Sequence, residues 1–374
     1  MSHSLFPGKT IGILGGGQLG KMMAMEAKQM GYRIAVLDPS PNAPCAQVAD
    51  EHIQAALDDV EAAIRLTDIA DVITYEFENV DLELANELEK RAKLPQGSYA
   101  LKVTQDRGNE KLLLTEAGVA VAPYRLVETV PELHEAVTQL GYPCVIKTTR
   151  GGYDGKGQQK LESVEDLQEA EDILRNNPPC VVEAWLPFDM EISVVMTRGI
   201  DGDLTMFPVP ENIHEDHILR QSIAPARVSA PIIDQAKEAA QSIADRLQFL
   251  GTFAFEMFVV GDEVYVNEMA PRPHNSGHYT IEACNVSQFG QHVRAICGLP
   301  LLDVQAPYAA VMTNILGHEI EPYLEDGTAF KGKHVHLYGK DGVKPKRKLG
   351  HTTVVGTDVD ALLQLVQHTS NRGG

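Results

Sequence analysis

Residues 252–270 read TFAFEMFVVGDEVYVNEMA, two apolar runs of strand type on either side of Gly261-Asp262. That dipeptide between two such runs predicts an antiparallel hairpin. Side chains alternate along a strand, so Ala254, Glu256 and Phe258 share one face while Phe253, Phe255 and Met257 share the other. Folding about the turn brings Glu256 near Glu268 of the second strand, with Asn267 beside it. Two carboxylates set together in apolar strands repel, and burying them unpaired is costly. Something positive must compensate. Hard divalent cations prefer oxygen ligands, and Mg²⁺ commonly takes one or two carboxylates plus the phosphates of a substrate. The pair thus predicts a metal at Glu256 and Glu268; a solvent-facing pair or a salt bridge to lysine would be plainer.

A second feature points to phosphates. The strand CVIKTT (144–149) ends with Lys147 and runs into GGYDGKGQ (151–158). A strand lysine aimed into a cleft can hold nucleotide phosphates while a glycine loop folds over them. The spacing is not that of a Walker A loop, and a surface hairpin with a solvated lysine is the ordinary explanation of such a stretch. Tyr153 and Asp154 in the middle do not suit a phosphate lid alone.

The N-terminal part alternates strand and helix: TIGILG (10–15), a helix from Gln18 to Met30, RIAVLD (33–38), DVITYE (71–76) and a helix over 81–92. This is the pattern of a parallel sheet with crossover helices. G-G-G-Q-L-G at 15–20, with Asp38 ending the next strand, matches a dinucleotide fingerprint, and an NAD-dependent oxidoreductase is a competing reading. A tight strand-to-helix turn binding a phosphate, or nothing, explains the same residues. Pro95 and Gly97 suggest a boundary near residue 97. The middle part predicts an α+β region: a helix over 106–116, a capping box at Thr129 and Glu132, strands 180–186 and 190–198, and a helix over 231–247 before the hairpin. After Pro300 a small strand-rich tail begins, closed by a helix near 358–368.

A chain of 374 residues is too long for one core, so two or three domains are expected. Lys+Arg total 32 against 52 Asp+Glu, a net charge of −20, which disfavours nucleic acid and anionic membranes as partners. The expected location is cytoplasmic, with no transmembrane run and no signal-type N-terminus. Five dispersed cysteines without a C-x-x-C pair fit reduced thiols. Against this acidic background, Lys344, Lys346, Arg347 and Lys348 form a basic cluster that a solvated charge run explains less well than usual. MAPRPHNSGH (269–278) offers Arg272, a clamp for an oxyanion, and His274, a candidate for proton transfer.

Lys147, the glycine loop, Glu183-Ala184-Trp185-Leu186, Glu191 and the Glu256/Asn267-Glu268 set occur in an order that resembles the ATP-grasp superfamily of carboxylate–amine ligases. GILGGGQLG, GYDGKGQ, MAPRPHNSGH and RKLGH bring the resemblance, over essentially the whole chain, to the N5-carboxyaminoimidazole ribonucleotide synthetases. The resemblance implies an N-terminal Rossmann-like pre-ATP-grasp domain (1–97), a two-lobed ATP-grasp domain (98–300), a small β-rich C-terminal domain (301–374) and a homodimer. It implies that ATP and bicarbonate form carboxyphosphate, which carboxylates 5-aminoimidazole ribonucleotide (AIR). A sister ligase acting on another substrate, and a regulator that binds ATP without turnover, compete with this reading. By the same resemblance, Arg107, Lys147 and Gly152, Tyr153, Asp154, Gly155, Lys156, Gly157 and Gln158 hold or cover ATP phosphates. Glu183, Ala184, Trp185 and Leu186 line the adenine slot, Glu191 takes the ribose, His214 lies at the nucleotide edge, and Asn267 supports Glu256 and Glu268, which carry Mg²⁺. AIR falls to Gln18, Leu19, Glu76, Tyr153, Asp154, Lys340, Arg347 and Lys348, and catalysis to Asp154, Arg272, His274 and Lys348. A functional link to the mutase that next uses the carbamate goes with this reading.

Overall fold

The computed structural model describes residues 4–151 and 157–370, the last four of these by their backbone alone. Gly152, Tyr153, Asp154, Gly155 and Lys156 therefore lie outside the described residues.

Three sheets make up the frame. The first is parallel and holds β1 (Thr10–Leu14), β2 (Arg33–Leu37), β3 (Glu51–Ile53) and β4 (Val72–Tyr75) in the order β3-β2-β1-β4. β1, β2 and β4 are buried almost throughout, as continuous apolar runs covered by helices should be. The second sheet is antiparallel: β5 (Tyr124–Val127), β6 (Cys144–Thr148), β7 (Gln158–Leu161) and β8 (Cys180–Ala184), ordered β5-β8-β6-β7. The helix Val130–Leu140 between β5 and β6 starts at Thr129, whose hydroxyl and Glu132 form the predicted capping box.

The third sheet has nine strands: β9 (Met190–Arg198), β10 (Leu204–Met206), β11 (Glu211–Glu215), β12 (Ile218–Ala224), β13 (Gly251–Val260), β14 (Glu263–Ala270), β15 (Ala309–Leu316), β16 (His334–Leu337) and β17 (Lys348–Gly356). Its order is β14-β13-β9-β11-β12-β15-β17-β16, with β10 beside β9. The strand-rich tail after residue 300 thus extends the sheet that begins in the middle of the chain. The short β3 and a helix at Tyr99–Thr104 are not expected from sequence, since neither carries a long periodic signal.

The hairpin lies where its sequence places it. β13 pairs with β14 about Gly261-Asp262. Phe253, Phe255 and Met257 are buried beneath the helix Ala230–Leu247. That helix buries Ile232, Ala236, Ala240, Ile243, Ala244 and Leu247, a stripe at spacings of three and four. Each fully buried phenylalanine here contributes about 1.5–3 kcal/mol. The burial of one face of β13 leaves Glu256 and Phe258 on the other, toward a cavity.

Candidate active site

That cavity, about 870 Å³, is bounded by parts of all three sheets. It collects Gln18, Leu19 and Glu76 from the N-terminal unit, Arg107 from a helix start, Lys147, Gln158, Glu183, Ala184, Trp185 and Leu186 from the second sheet, and Glu191, His214, Glu256, Asn267, Glu268, Arg272, His274 and Lys348 from the third sheet and its loops. Gly157, Lys340 and Arg347 are not on its wall. Gly157 accepts the Thr148 amide through its carbonyl at 2.9 Å, at the exit of the glycine loop. Lys340 donates to the Lys348 carbonyl at 2.9 Å, so it stands beside the wall. Arg347 donates to the carbonyls of Asp341 and Gly342.

The glycine turn after β1 has a different occupant from the one a dinucleotide fingerprint suggests. The amides of Gly17 and Gly20 donate to the two carboxylate oxygens of Glu76, the latter at 2.8 Å. Amides at a helix start favour an anion, and here the protein supplies its own. Burial pushes the Glu76 carboxyl above its ordinary range, against the two amides that pull it down. Asp38 is equally committed: it accepts the Gly16 amide at 2.7 Å and the Ser40 amide at 2.8 Å. A Cβ on Gly16 would come within 2.9 Å of Asp38, and one on Gly17 within 2.4 Å of Glu76. The glycines are therefore there for two carboxylates, and the pyrophosphate position of the NAD reading is filled.

At the phosphate-type end, β6 turns Val145 and Lys147 to the cavity and Cys144 and Ile146 to a core. Gln158 sits directly across from Lys147 on β7. Glu183 turns its carboxylate inward, 3.1 Å from Lys147 and 3.5 Å from the buried Lys111. Burial would raise Glu183, but the two lysines outweigh it and hold it at about 2. Arg107 lies 3.2 Å from Glu268. Glu110, buried beside them, accepts the Met269 amide at 2.6 Å, and burial together with the Glu268 charge pushes it up to about 8.

The register sets Glu256 opposite Glu268, and the pairing shifts just beyond, between Glu256 and Met257. Such a bulge re-aims side chains; it accounts for both Asn267 and Glu268 reaching the cavity, although neighbours on a regular strand point apart. His274 lies 3.1 Å from Glu256. Burial opposes ionisation of Glu256, yet the hydrogen bond and charge of His274 bring it down to about 2. The positive charge that the sequence demands near the two glutamates is thus met in part by Arg107, with a hydrogen bond from His274 beside it. Glu268 keeps 41% of its side chain exposed. Two hard carboxylates on one face, open to a cavity ringed by cations for phosphate, fit a Mg²⁺.

Glu191 pairs with His214 at 2.8 Å, and this partner raises the imidazole despite the burial that opposes it. A bulge between Ile213 and His214 aims the ring. Arg272 is clamped by Glu78 at 2.5 Å. Glu78, Glu110, Lys111, Phe188 and Phe258 are absent from the site residues expected from sequence. Two had a signal: Glu78 follows the C-terminal end of β4, where parallel sheets bind ligands, and Phe258 shares the face of Glu256. Phe188 and Phe258 stack at 4.4 Å between ring centroids and make an apolar wall near Trp185.

Family models match three stretches of the chain: a ribonucleotide synthetase preATP-grasp domain over residues 8–105, an ATP-grasp domain over 112–289 and a phosphoribosylaminoimidazole carboxylase C-terminal domain over 310–365. The N5-carboxyaminoimidazole ribonucleotide synthase of Bacillus subtilis (strain 168) is 47% identical over 372 residues, covering 99% of this chain and 98% of the relative. The chain belongs to the N5-carboxyaminoimidazole ribonucleotide synthase family. It is an ATP-grasp ligase of mixed α/β and α+β architecture, with a pre-ATP-grasp part before the ATP-grasp part and the family's C-terminal part after it. The Staphylococcus aureus synthetase complexed with ADP is 43% identical, with a TM-score of 0.94 and 98% of each chain covered. The synthase from Aspergillus clavatus in complex with ADP and 5-aminoimidazole ribonucleotide is 32% identical, with a TM-score of 0.89, covering 98% of this chain and 100% of that one.

Proposed function

We propose that the protein carboxylates AIR with ATP and bicarbonate, giving ADP, phosphate and N5-carboxyaminoimidazole ribonucleotide in purine biosynthesis. One observation carries the reading most directly: a single cavity joins Glu76 of the parallel sheet, Lys147 and the Glu256/Glu268 pair, and Lys348 of the tail. Two nucleotides and a small anion need those three regions side by side.

In this reading Arg107, Lys147 and Gln158 hold the ATP phosphates, and Gly152–Lys156 and Gly157 cover them. Ala184, Trp185 and Leu186 offer backbone to the adenine against Phe188 and Phe258, while Glu183 holds Lys147 in place. Glu191 and His214 take the ribose edge. Glu256 and Glu268, with Asn267 beside them, would hold a Mg²⁺, which would neutralise charge at the phosphates. Bicarbonate, oriented by Arg272 and His274, attacks the γ-phosphorus; the bond to the bridging oxygen breaks and ADP leaves. The amine of AIR then attacks the carboxyl carbon of carboxyphosphate, the C–O bond to phosphate breaks, and the amine gives up a proton to a neighbouring base, a role assigned to Asp154. Gln18, Leu19, Glu76 and Tyr153 hold the AIR nucleoside, and Lys340, Arg347 and Lys348 its phosphate. Closing the site matters because water destroys carboxyphosphate.

We further infer working units of 1–97, 98–300 and 301–374 and a cytoplasmic homodimer that hands its carbamate to a mutase; sedimentation velocity at twice the chain mass checks the dimer. No helix among the described residues is long and apolar enough to cross a membrane. ADP release, measured with AIR and bicarbonate added separately and together, tests the reaction. Both together should give the fastest release, and AIR that leaves the rate unchanged sinks the substrate assignment.

A further inference from the structure

The loop between β16 and β17 is held from the N-terminal unit, by residues 292 and 317 positions away in sequence. Tyr338, its first residue, is buried in the N-terminal core with Leu19, Met22 and Cys45. Lys21 Nζ donates to the Tyr338 carbonyl at 2.9 Å and to Gln47 Oε1 at 3.1 Å. The Gln47 side-chain NH₂ donates to the Gly339 carbonyl at 2.6 Å. The Asn42 side-chain NH₂ donates to Asp341 Oδ1 at 2.8 Å. The approach is close: Gly339 has a φ of +76°, and a Cβ on it would lie 2.4 Å from Gln47 Oε1.

The segment so tied carries the residues expected at the AIR phosphate. Lys340 follows Gly339 directly and donates to the Lys348 carbonyl at 2.9 Å, and Arg347 donates to the carbonyls of Asp341 and Gly342. At its other end the tie starts on the helix Gln18–Gln29, where Lys21 stands three residues beyond Gln18 and so on the same face. Gln18 and Leu19 line the cavity; Lys21 and Gln47 do not. Both hydrogen bonds of Lys21 go to neutral oxygens, so its ammonium holds a backbone rather than balancing a carboxylate.

We propose that Lys21, assisted by Gln47, is a positioning residue that keeps the loop for the AIR phosphate in register with the site for the AIR nucleoside. This rests on the reading that Gln18, Leu19 and Glu76 hold the nucleoside and Lys340, Arg347 and Lys348 the phosphate. A nucleotide has a limited span, so the two ends of its site must keep their separation. One end belongs to the parallel sheet and the other to the tail of the nine-stranded sheet, and no strand pairing joins the two. A loop freed of its tie is in register only part of the time, and the apparent affinity falls with that fraction.

The test compares AIR with 5-aminoimidazole riboside, which is AIR without its phosphate, as stimulants of bicarbonate-dependent ADP release by the full-length protein. Lys21→Met should lower kcat/KM for AIR about tenfold, and Gln47→Leu, an exposed neutral change that spares the fold, about threefold. Neither should alter kcat/KM for the riboside or KM for ATP. Arg347→Met, which removes a phosphate ligand outright, should lower the same ratio of AIR to riboside. Adding Lys21→Met to Arg347→Met should then cost little more, because both act through one loop. Equal losses on AIR and riboside in both variants would make the tie a support of the fold and overturn the proposal, as would two variants that leave AIR unaffected. Losses from Lys21→Met and Arg347→Met that multiply would mean that Lys21 acts on the phosphate by its own charge, which overturns the positioning role. A ratio unmoved by Arg347→Met would remove the phosphate site and the proposal with it. A ratio lowered by Arg347→Met but by neither Lys21→Met nor Gln47→Leu would leave that site standing and overturn the proposal alone.

Discussion

Lys111 is 2% exposed, and the fold tolerates a buried lysine only through its partners, Glu183 at 3.5 Å and the Asn267 carbonyl at 3.3 Å. Nothing local in the sequence marks it, because its partners lie 72 and 156 residues further along the chain. Lys147 and Glu256 are legible for the opposite reason: each is a charged residue in an apolar strand, which is anomalous on inspection. Lys340 has a measurable consequence. Burial lowers its ammonium to about 8, helped by the charge of Arg347 and opposed by Glu76. If the ammonium form holds the AIR phosphate, kcat/KM for AIR should decline as pH rises through about 8, because the group loses its proton and its charge. Lys340→Arg, charged at all these pH values, should remove that decline; an unaltered profile would take Lys340 out of the substrate site.

At the scale of elements, the strand–turn–helix at 10–29 is readable as a unit, and so is the hairpin, because period-two and period-3.6 patterns are local. The purpose of the turn is not readable. It faces Glu76, which arrives from β4 by way of a crossover, and no spacing rule reports a partner that distant. Gly17→Ala checks the assignment. Its Cβ would lie 2.4 Å from Glu76 Oε1, so Glu76 must move. Forcing in a methyl costs about 1–3 kcal/mol; we expect KM for AIR to rise roughly tenfold while KM for ATP is unchanged. An equal effect on both would mean that the turn supports the fold generally.

Across the whole molecule, the N-terminal unit reaches the loop after β14. Glu78 clamps Arg272 at 2.5 Å, and Gln105 holds the backbone around it, donating to the carbonyls of Glu78 at 2.7 Å and Val80 at 2.6 Å. Burial and the Arg272 charge pull in opposite directions on Glu78, and the arginine wins, keeping the carboxylate below its ordinary value. Glu78→Gln leaves shape intact but weakens the clamp. KM for bicarbonate should rise about tenfold, a loss of ~1.4 kcal/mol, with KM for ATP unchanged; bicarbonate saturation of ADP release measures it. An unchanged bicarbonate KM would make the pair a structural tie only.

Residue order alone is enough for most of the elements, the faces of β13, the pairing of Glu256 with Glu268 and, through the motifs, the family. These rest on periodicity and turn chemistry, both carried along the chain. Three-dimensional packing was needed to learn that Glu76 fills the anion position of the glycine turn, that the C-terminal strands continue the central sheet, and that Arg107 and Glu78 answer charges far from them in sequence. A buried charge must find a partner, but which partner is a property of topology, since contacts between residues far apart in the chain exist only once the strands have been ordered in space.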